Sequence, residues 1–121
     1  MKILIVDDSK AMRMIVQRTL RQAGFGDHAI LEANNGAEAL EVIAKEPVDL
    51  VLSDWNMPTM SGIELLTAIR EKKLPVRFGF VTSEGTPPMR ARAAECGAEF
   101  LIAKPFTVEA FESALRPVLA A

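Results

Sequence analysis

A short apolar run followed by two carboxylates lies at the start of the chain: Lys2-Ile3-Leu4-Ile5-Val6-Asp7-Asp8. Its four apolar residues can form a buried strand but are too few for a signal-peptide core or a membrane span. The segment that follows has helical periodicity. Its apolar stripe contains Met12, Ile15, Val16, Thr19 and Leu20, whereas Arg13, Gln17, Arg18 and Arg21 fall outside that stripe. A strand followed by an amphipathic helix predicts one βα unit whose helix packs on a sheet.

This pairing of a short apolar run with a longer helical segment occurs five times along the chain. The predicted strands are 2–6, 28–32, 48–53, 76–81 and 100–103. The predicted helices are 10–23, 37–45, 62–72, 88–96 and 108–119. Such alternation is typical of a parallel sheet with crossover helices. The sequence therefore predicts a doubly wound (βα)₅ α/β fold with helices on both faces of the sheet.

The composition fits one ordinary globular domain over residues 1–121, because half of the residues are hydrophobic and a quarter are charged. The 14 basic and 16 acidic residues give a net charge of −2, without a Lys/Arg block, which argues against a dedicated nucleic-acid surface. One Cys and one His cannot form a zinc site of Cys and His ligands or an internal disulfide. A reducing, cytoplasmic setting is therefore expected.

Polar and charged residues follow four of the five predicted strands: Asp7-Asp8, Asp54, Thr82-Ser83 and Lys104-Pro105. In doubly wound sheets the functional site lies at the carboxyl ends of the strands. If the first and third strands are neighbours, Asp7, Asp8 and Asp54 converge. Carboxylates at ~4 Å repel each other by several kcal/mol at an effective dielectric of about 20, so the cluster needs a cation or a shifted pKa. Oxygen ligands of this kind suit Mg²⁺.

Together with Mg²⁺, a lysine and a hydroxyl would complete a phosphoryl-transfer site, and Lys104 and Thr82 supply those groups. Asp54 is the best candidate for the nucleophile, because it stands alone after the central strand while the paired Asp7 and Asp8 can hold the ion. Simpler interpretations remain: Asp7-Asp8-Ser9 as a helix-capping segment, Asp54 as a turn residue, Thr82 as an ordinary strand residue and Lys104 as a surface lysine.

The chain resembles the receiver domain of two-component response regulators along essentially its whole length. The matching segments are Ile5-Val6-Asp7-Asp8, Asp54-Trp55-Asn56-Met57-Pro58 with Gly62 after it, Val81-Thr82-Ser83, and Lys104-Pro105-Phe106-Thr107. The segment that begins at Asp54 is similar to that of CheY-type chemotaxis receivers. The resemblance implies a flavodoxin-like sheet with strand order 2-1-3-4-5.

Residue roles follow from the resemblance position by position. It implies that Asp54 is phosphorylated, that Asp8, Asp54 and the backbone carbonyl of Asn56 bind Mg²⁺, and that Asp7 binds it through water. It further implies that Thr82 is the switch hydroxyl, that Lys104 pairs with the phosphoryl group, and that the Lys104-Pro105 bond is cis. Asn56 and Glu84 match the two variable positions associated with the autodephosphorylation rate.

Leu101 departs from the family pattern, because receivers usually carry a switch Tyr or Phe three residues before the lysine. The chain contains no Tyr at all. Phe100 is adjacent, but successive side chains of a strand point to opposite faces of the sheet, so its ring cannot replace the missing one. The usual relay from the threonine to an aromatic ring is therefore not expected here.

The resemblance implies a phosphorylation-activated signalling switch rather than an enzyme with a separate substrate. A partner histidine kinase or phosphotransfer protein would phosphorylate Asp54, and the chain would catalyse only this transfer and its own dephosphorylation. Because no output domain is expected in residues 1–121, the target is another protein, a flagellar motor switch protein if the role is chemotactic. Direct nucleic-acid binding and membrane insertion are not expected.

Three alternatives remain at this point. The chain could be a single-domain receiver of another phosphorelay or stress pathway, or a receiver-like scaffold that does not switch, an alternative that the departure at Leu101 leaves open. It could also be a small aspartate-nucleophile phosphohydrolase, although 121 residues hardly supply the substrate cap that such an enzyme needs. Nucleotide hydrolysis is disfavoured, because no Gly-x-x-x-x-Gly-Lys-Ser/Thr loop follows the first strand.

Overall fold

The computed structural model describes residues 1–57, 60–83 and 85–119, and within them strands and helices alternate strictly. The strands are β1 (Lys2–Val6), β2 (Ala29–Ala33), β3 (Leu50–Ser53), β4 (Arg77–Thr82) and β5 (Phe100–Ala103). The helices are α1 (Lys10–Gln22), α2 (Gly36–Lys45), α3 (Gly62–Glu71), α4 (Pro87–Glu95) and α5 (Val108–Leu119). The strands form one parallel sheet of order β2-β1-β3-β4-β5, which confirms the expected topology.

Two helix starts, those of α2 and α4, differ by one residue from the predicted bounds because capping side chains set them. Asn35 accepts a hydrogen bond from the Glu38 backbone N–H at 2.8 Å, so α2 begins at Gly36. Thr86 caps α4 in the same way, and Pro87 and Pro88 occupy the first positions of that helix, which begins one residue before its predicted start at 88. β3 is shorter than predicted and begins at Leu50.

The sheet is covered on both faces. One apolar cluster contains side chains of α1 and α5, and a second contains side chains of α2, α3 and α4. The central strands β1 and β3 are the most deeply buried, with Ile3, Leu4, Leu50 and Val51 at 0% exposure. Apart from Lys2 and Ser53 at the strand ends, the side chains that point to either face of these strands are apolar, which is typical of a parallel sheet.

Arg13 and Ile15 contradict the predicted polarity of α1. Arg13 is only 8% exposed although it lies outside the apolar stripe, whereas Ile15, on that stripe, is 42% exposed. Oxygen atoms at the ends of β1 and β2 surround the Arg13 guanidinium and hydrogen-bond it, so this position is buried by polar contacts. The apolar stripe of a helix reflects side-chain polarity alone, so it does not predict burial by polar contacts.

Within the described ranges, no helix has both the length and the apolar character needed to cross a membrane.

Candidate functional site

Three carboxylates meet at the carboxyl edge of the sheet. Asp7, Asp8 and Asp54 each offer an oxygen atom, and these three atoms all lie within 4.8 Å of one another. The cause is the strand register, since Val6 at the end of β1 pairs with Ser53 at the end of β3. The Asp54 backbone N–H also donates to the Val6 carbonyl at 2.9 Å, which extends this pairing by one residue. The predicted convergence is confirmed.

Asp7 is almost fully buried at 4% exposure, and both of its carboxylate oxygens are hydrogen-bonded. Oδ1 accepts the Ser9 backbone N–H at 2.9 Å, and Oδ2 accepts the Lys104 Nζ at 3.2 Å. Ser9 is the N-cap of α1, so the capping interpretation holds for Ser9 rather than for the two aspartates. Asp8 is exposed, and the acidic cluster is therefore open to solvent on that side.

Asp54 lies in the loop after β3 with its side chain 13% exposed. Its Oδ1 accepts the Trp55 backbone N–H at 2.7 Å, and its Oδ2 lies 3.6 Å from the Lys104 Nζ. The Thr82 hydroxyl, fully buried at the end of β4, also donates a hydrogen bond to the Asp54 carboxylate. The structure thus brings together an acid, a cation and a hydroxyl from three different strand ends.

The pKa of Asp54 is raised above its usual value of 3.8, chiefly because burial disfavours the charged form and further because Asp7 is close. The Lys104 ammonium, the Trp55 N–H and the Thr82 hydroxyl act in the opposite direction, and their combined effect is smaller. Ionised Asp54 is therefore under electrostatic strain, which a bound divalent cation would relieve.

This shift predicts a pH dependence of stability in metal-free protein. Between pH 3.8 and the raised pKa, the folded state holds the Asp54 proton more tightly than the unfolded state does, so rising pH favours unfolding. The free energy of unfolding of wild type should therefore fall relative to that of Asp54→Asn as the pH rises above about 4. The difference becomes constant once Asp54 is ionised in both the folded and the unfolded state. Urea denaturation of both proteins in chelator from about pH 4 to pH 7 measures this, and parallel curves would contradict it.

Lys104 lies between two of the carboxylates, with its side chain 15% exposed. Its backbone N–H donates to the Thr82 carbonyl at 2.7 Å, which ties the ends of β4 and β5 together. The Lys104-Pro105 peptide bond is cis, as the resemblance implies. Lys104 is thus a partly buried cation within the cluster and not a solvated surface lysine.

Trp55 and Asn56 follow Asp54 in the loop after β3. Trp55 is half-buried and Asn56 is exposed. The Trp55 ring packs on Phe80 with a centroid distance of 4.7 Å. Glu84 and Pro58 lie outside the described residues.

Leu101 is half-buried and packs on the apolar cluster beneath α2, α3 and α4. Phe100 packs on the opposite face, where its ring covers Gly79 so closely that a Cβ there would lie 2.1 Å from the ring. The expectation that Phe100 cannot take the aromatic position is therefore confirmed. Its ring instead fills the space left by a glycine on the neighbouring strand.

Two residues that support the site were not predicted to do so. Gly62, at the start of α3, donates its N–H to the Trp55 carbonyl at 2.8 Å, and a Cβ at this position would lie 2.2 Å from the Asp54 carbonyl oxygen. Arg13 donates to the Asp7 carbonyl at 2.7 Å. Spacing could have drawn attention to Gly62, because it belongs to the segment that begins at Asp54, but nothing in the sequence pattern indicates the contacts of Arg13.

A five-stranded doubly wound fold with carboxylates, a hydroxyl and a lysine at its strand ends is the arrangement expected of a phosphoacceptor domain. The family model described as response regulator receiver domain matches residues 3–116. The chain belongs to the response regulator receiver family. It is therefore a phosphorylation-activated signalling switch and not an enzyme in the usual sense.

Curated relatives resemble the chain over nearly its full length. It is 40% identical to a chemotaxis protein CheY homolog of Campylobacter jejuni, with 98% of this chain and 92% of the relative covered. It is 39% identical to the chemotaxis protein CheY of Pseudomonas aeruginosa, with 98% and 95% covered. Among solved structures, the chemotaxis protein CheY4 of Vibrio cholerae matches with a TM-score of 0.84 and 34% identity, and 98% of each chain is covered.

Proposed function

We propose that the chain is a chemotaxis receiver that accepts a phosphoryl group on Asp54 from a partner histidine kinase or phosphotransfer protein. The observation that carries the proposal is the position of the Asp54 carboxylate, which lies beside Lys104 and Thr82 and within 4.8 Å of the other two carboxylates. An Asp54 oxygen forms the new bond to phosphorus as the bond from phosphorus to the histidine nitrogen breaks, and the imidazole leaves with its electron pair. The chemotactic role is supported by the CheY relatives.

The residues of the cluster fit Mg²⁺, because every available donor is an oxygen atom and three carboxylates otherwise repel one another. Asp8, Asp54 and the Asn56 carbonyl would hold the ion directly, and Asp7 would hold it through water. When bound, the ion neutralises charge on the transferring phosphoryl group. Lys104, whose Nζ lies 3.6 Å from the Asp54 Oδ2, would pair with that group, and the partial burial of Asp54 keeps bulk water away from the reacting carboxylate.

We expect Mg²⁺ to stabilise the folded protein, since a ligand of the native state contributes RT ln(1 + [L]/Kd), about 2.7 kcal/mol at one hundred times Kd. Thermal unfolding with and without Mg²⁺ measures the effect. Asp8→Ala should remove the stabilisation, because Asp8 would hold the ion directly. Asp27→Ala should keep it, because this change removes a likewise exposed carboxylate after α1 that lies outside the cluster. Wild-type melting curves that do not change at saturating Mg²⁺ would contradict the metal site.

Signalling requires that phosphorylation changes a surface, and the β4–α4 loop is suited to this change. Thr82 immediately precedes the loop and already donates a hydrogen bond to Asp54. Added negative charge at Asp54 would strengthen this hydrogen bond. Arg90 of α4 donates to the Gly85 and Leu101 carbonyls at 3.2 and 3.1 Å, which links the loop to β5. Arg90 and Leu101 also line a surface groove of about 500 Å³ between α4 and α5. Movement of the loop would therefore reshape this groove, without rotation of an aromatic ring.

We expect beryllofluoride, a stable phosphoryl mimic, to change hydrogen exchange of residues 85–90 in wild type but not in Thr82→Ala. The hydroxyl is the group that couples the loop to the charge at Asp54. Thr82→Ser keeps a hydroxyl at the same position and should retain the change. If exchange in wild type is identical with and without the mimic, the chain is a receiver-like scaffold that does not switch, the alternative that Leu101 leaves open.

The partners follow from this proposal. The donor is a sensor histidine kinase or phosphotransfer protein, and the target is a flagellar motor switch protein reached in the cytoplasm, with residues 1–121 acting as one receiver unit. Asn56 and Glu84 set the rate at which the phosphoryl group is lost. Phosphotransfer profiling against the histidine kinases of the same cell tests the donor, and transfer only from a kinase of another pathway would place the chain in a different phosphorelay.

A further inference from the structure

Arg13 is the only charged residue of α1 that is buried, although the helix also carries Lys10, Arg18 and Arg21 on its exposed surface. Its side chain is 9% exposed. Nη1 donates to the Asp7 carbonyl at 2.7 Å and to the Asn34 Oδ1 at 2.8 Å, and Nε donates to the Glu32 Oε1 at 2.9 Å. Burying a guanidinium is costly unless such acceptors surround it, so this arrangement is specific to the position.

These three acceptors belong to two adjacent strand ends. Asp7 follows β1, while Glu32 lies near the end of β2 and Asn34 follows that strand. The guanidinium therefore joins the first turn of α1 to the carboxyl ends of both strands. The bond to the Asp7 carbonyl is the important one for the site, because that carbonyl belongs to the peptide unit between Asp7 and Asp8.

We propose that Arg13 is a positioning residue for the acidic cluster. By holding the Asp7 carbonyl, it fixes the peptide between the two aspartates, so that both carboxylates face Asp54 before a cation arrives. The inference rests on the proposed function, since it concerns cation binding at the same site. Arg13 contacts neither the phosphoryl group nor the carboxylate oxygens of the cluster, and it acts through the backbone.

The sign of the effect separates this role from a purely electrostatic one. A positive charge close to the cluster repels a second cation, so charge alone predicts that removing Arg13 strengthens Mg²⁺ binding. Positioning predicts the opposite, because a mobile peptide between Asp7 and Asp8 must be ordered when the ion binds. A loss of affinity in a neutral variant therefore cannot come from the lost charge.

The test compares Mg²⁺ dissociation constants of wild type, Arg13→Gln and Arg70→Gln, measured by fluorescence of Trp55. Trp55 is the single tryptophan of the chain, and its backbone N–H is bonded to the Asp54 carboxylate. Arg13→Gln should bind Mg²⁺ about 10-fold more weakly, which is the lower end of the effect of residues that orient metal ligands.

Arg70→Gln is the matched control, because it removes the same charge and a guanidinium that also donates to backbone carbonyls. Those carbonyls belong to Val76 and Gly97, at 2.7 and 3.0 Å, and they precede β4 and β5 at the opposite edge of the sheet. Unfolding in chelator should show destabilisation of both variants, whereas the dissociation constant should rise in Arg13→Gln alone.

The outcomes separate a failure of the positioning role of Arg13 from a failure of the proposed function. If wild type binds Mg²⁺ and Arg13→Gln binds it equally or more tightly, the positioning role is overturned and the proposed function stands. If wild type binds no Mg²⁺, the proposed function falls and this inference falls with it. Should Arg13→Gln fail to fold, Asn34→Ala loosens the same guanidinium at an exposed position without any change of charge. It should weaken Mg²⁺ binding in the same direction, and an unchanged constant would overturn the role.

Discussion

An Asp54→Asn protein is expected to take up no phosphate from acetyl phosphate or from a phosphorylated histidine kinase, whereas wild type gains one acid-stable, base-labile phosphoryl group. The amide keeps the size of the carboxylate but has no anionic oxygen to form the bond to phosphorus. Because burial already raises the pKa of Asp54, the neutral side chain should fold at least as well as wild type at neutral pH. The loss of labelling is therefore chemical, and intact-mass spectra measure it.

Asp49→Asn is the matched control for this loss. Asp49 precedes β3 just as Asp54 follows it, but it is exposed and its Oδ2 accepts the Lys2 backbone N–H at 2.7 Å at the opposite edge of the sheet. This variant should be phosphorylated like wild type. Equal modification of Asp54→Asn and wild type would remove Asp54 as the acceptor and turn attention to Asp7 and Asp8.

The fold could be predicted because its apolar runs are unambiguous. A run such as Ile3-Leu4-Ile5-Val6 has no polar face, is short and is rich in β-branched residues, which favours a strand covered on both faces over a buried helix. The order of the strands came from the resemblance and not from periodicity, since hydrophobic patterns do not record which strands are neighbours. Once that order places β1 beside β3, the convergence of Asp7, Asp8 and Asp54 follows.

The contacts that the sequence did not predict are hydrogen bonds between side chains and groups on other elements, and they depend on where the fold places those elements. Helical periodicity predicts that Arg13 faces solvent, because it ranks residues by polarity and does not include the acceptors that the ends of β1 and β2 place beside the guanidinium. The hydrogen bond between Thr82 and Asp54 belongs to the same class, since it joins residues 28 positions apart at the ends of adjacent strands. Leu101 was recognised as a departure, and the structure adds that Arg90 bonds the Leu101 carbonyl.

Gly62→Ala should be the most damaging conservative substitution near the site. Its Cβ would lie 2.2 Å from the Asp54 carbonyl oxygen and 2.8 Å from the Phe80 ring, and Gly62 is buried. The first of these atoms is backbone and cannot rotate away, so the start of α3 must move and the bond from the Gly62 N–H to the Trp55 carbonyl must lengthen. Overpacking typically costs about 1–3 kcal/mol, and a backbone clash places this variant at or above the upper end of that range.

Gly36→Ala gives a matched comparison, because Gly36 is also buried and also starts a helix. A Cβ there would lie 2.7 Å from the Met60 Cγ and Sδ, which a rotamer change can move, and 2.9 Å from the Met60 Cβ, which moves only with its backbone. This overlap is smaller than the one at Gly62 and lies away from Asp54, so the cost should be smaller and Mg²⁺ affinity should be unchanged. Gly62→Ala, in contrast, displaces the backbone that carries Asp54 and should weaken both unfolding stability and Mg²⁺ binding. Denaturation and Mg²⁺ titration of the two variants measure these effects. Equal losses in both would show that the close approach of α3 to Asp54 has no role in positioning the carboxylate.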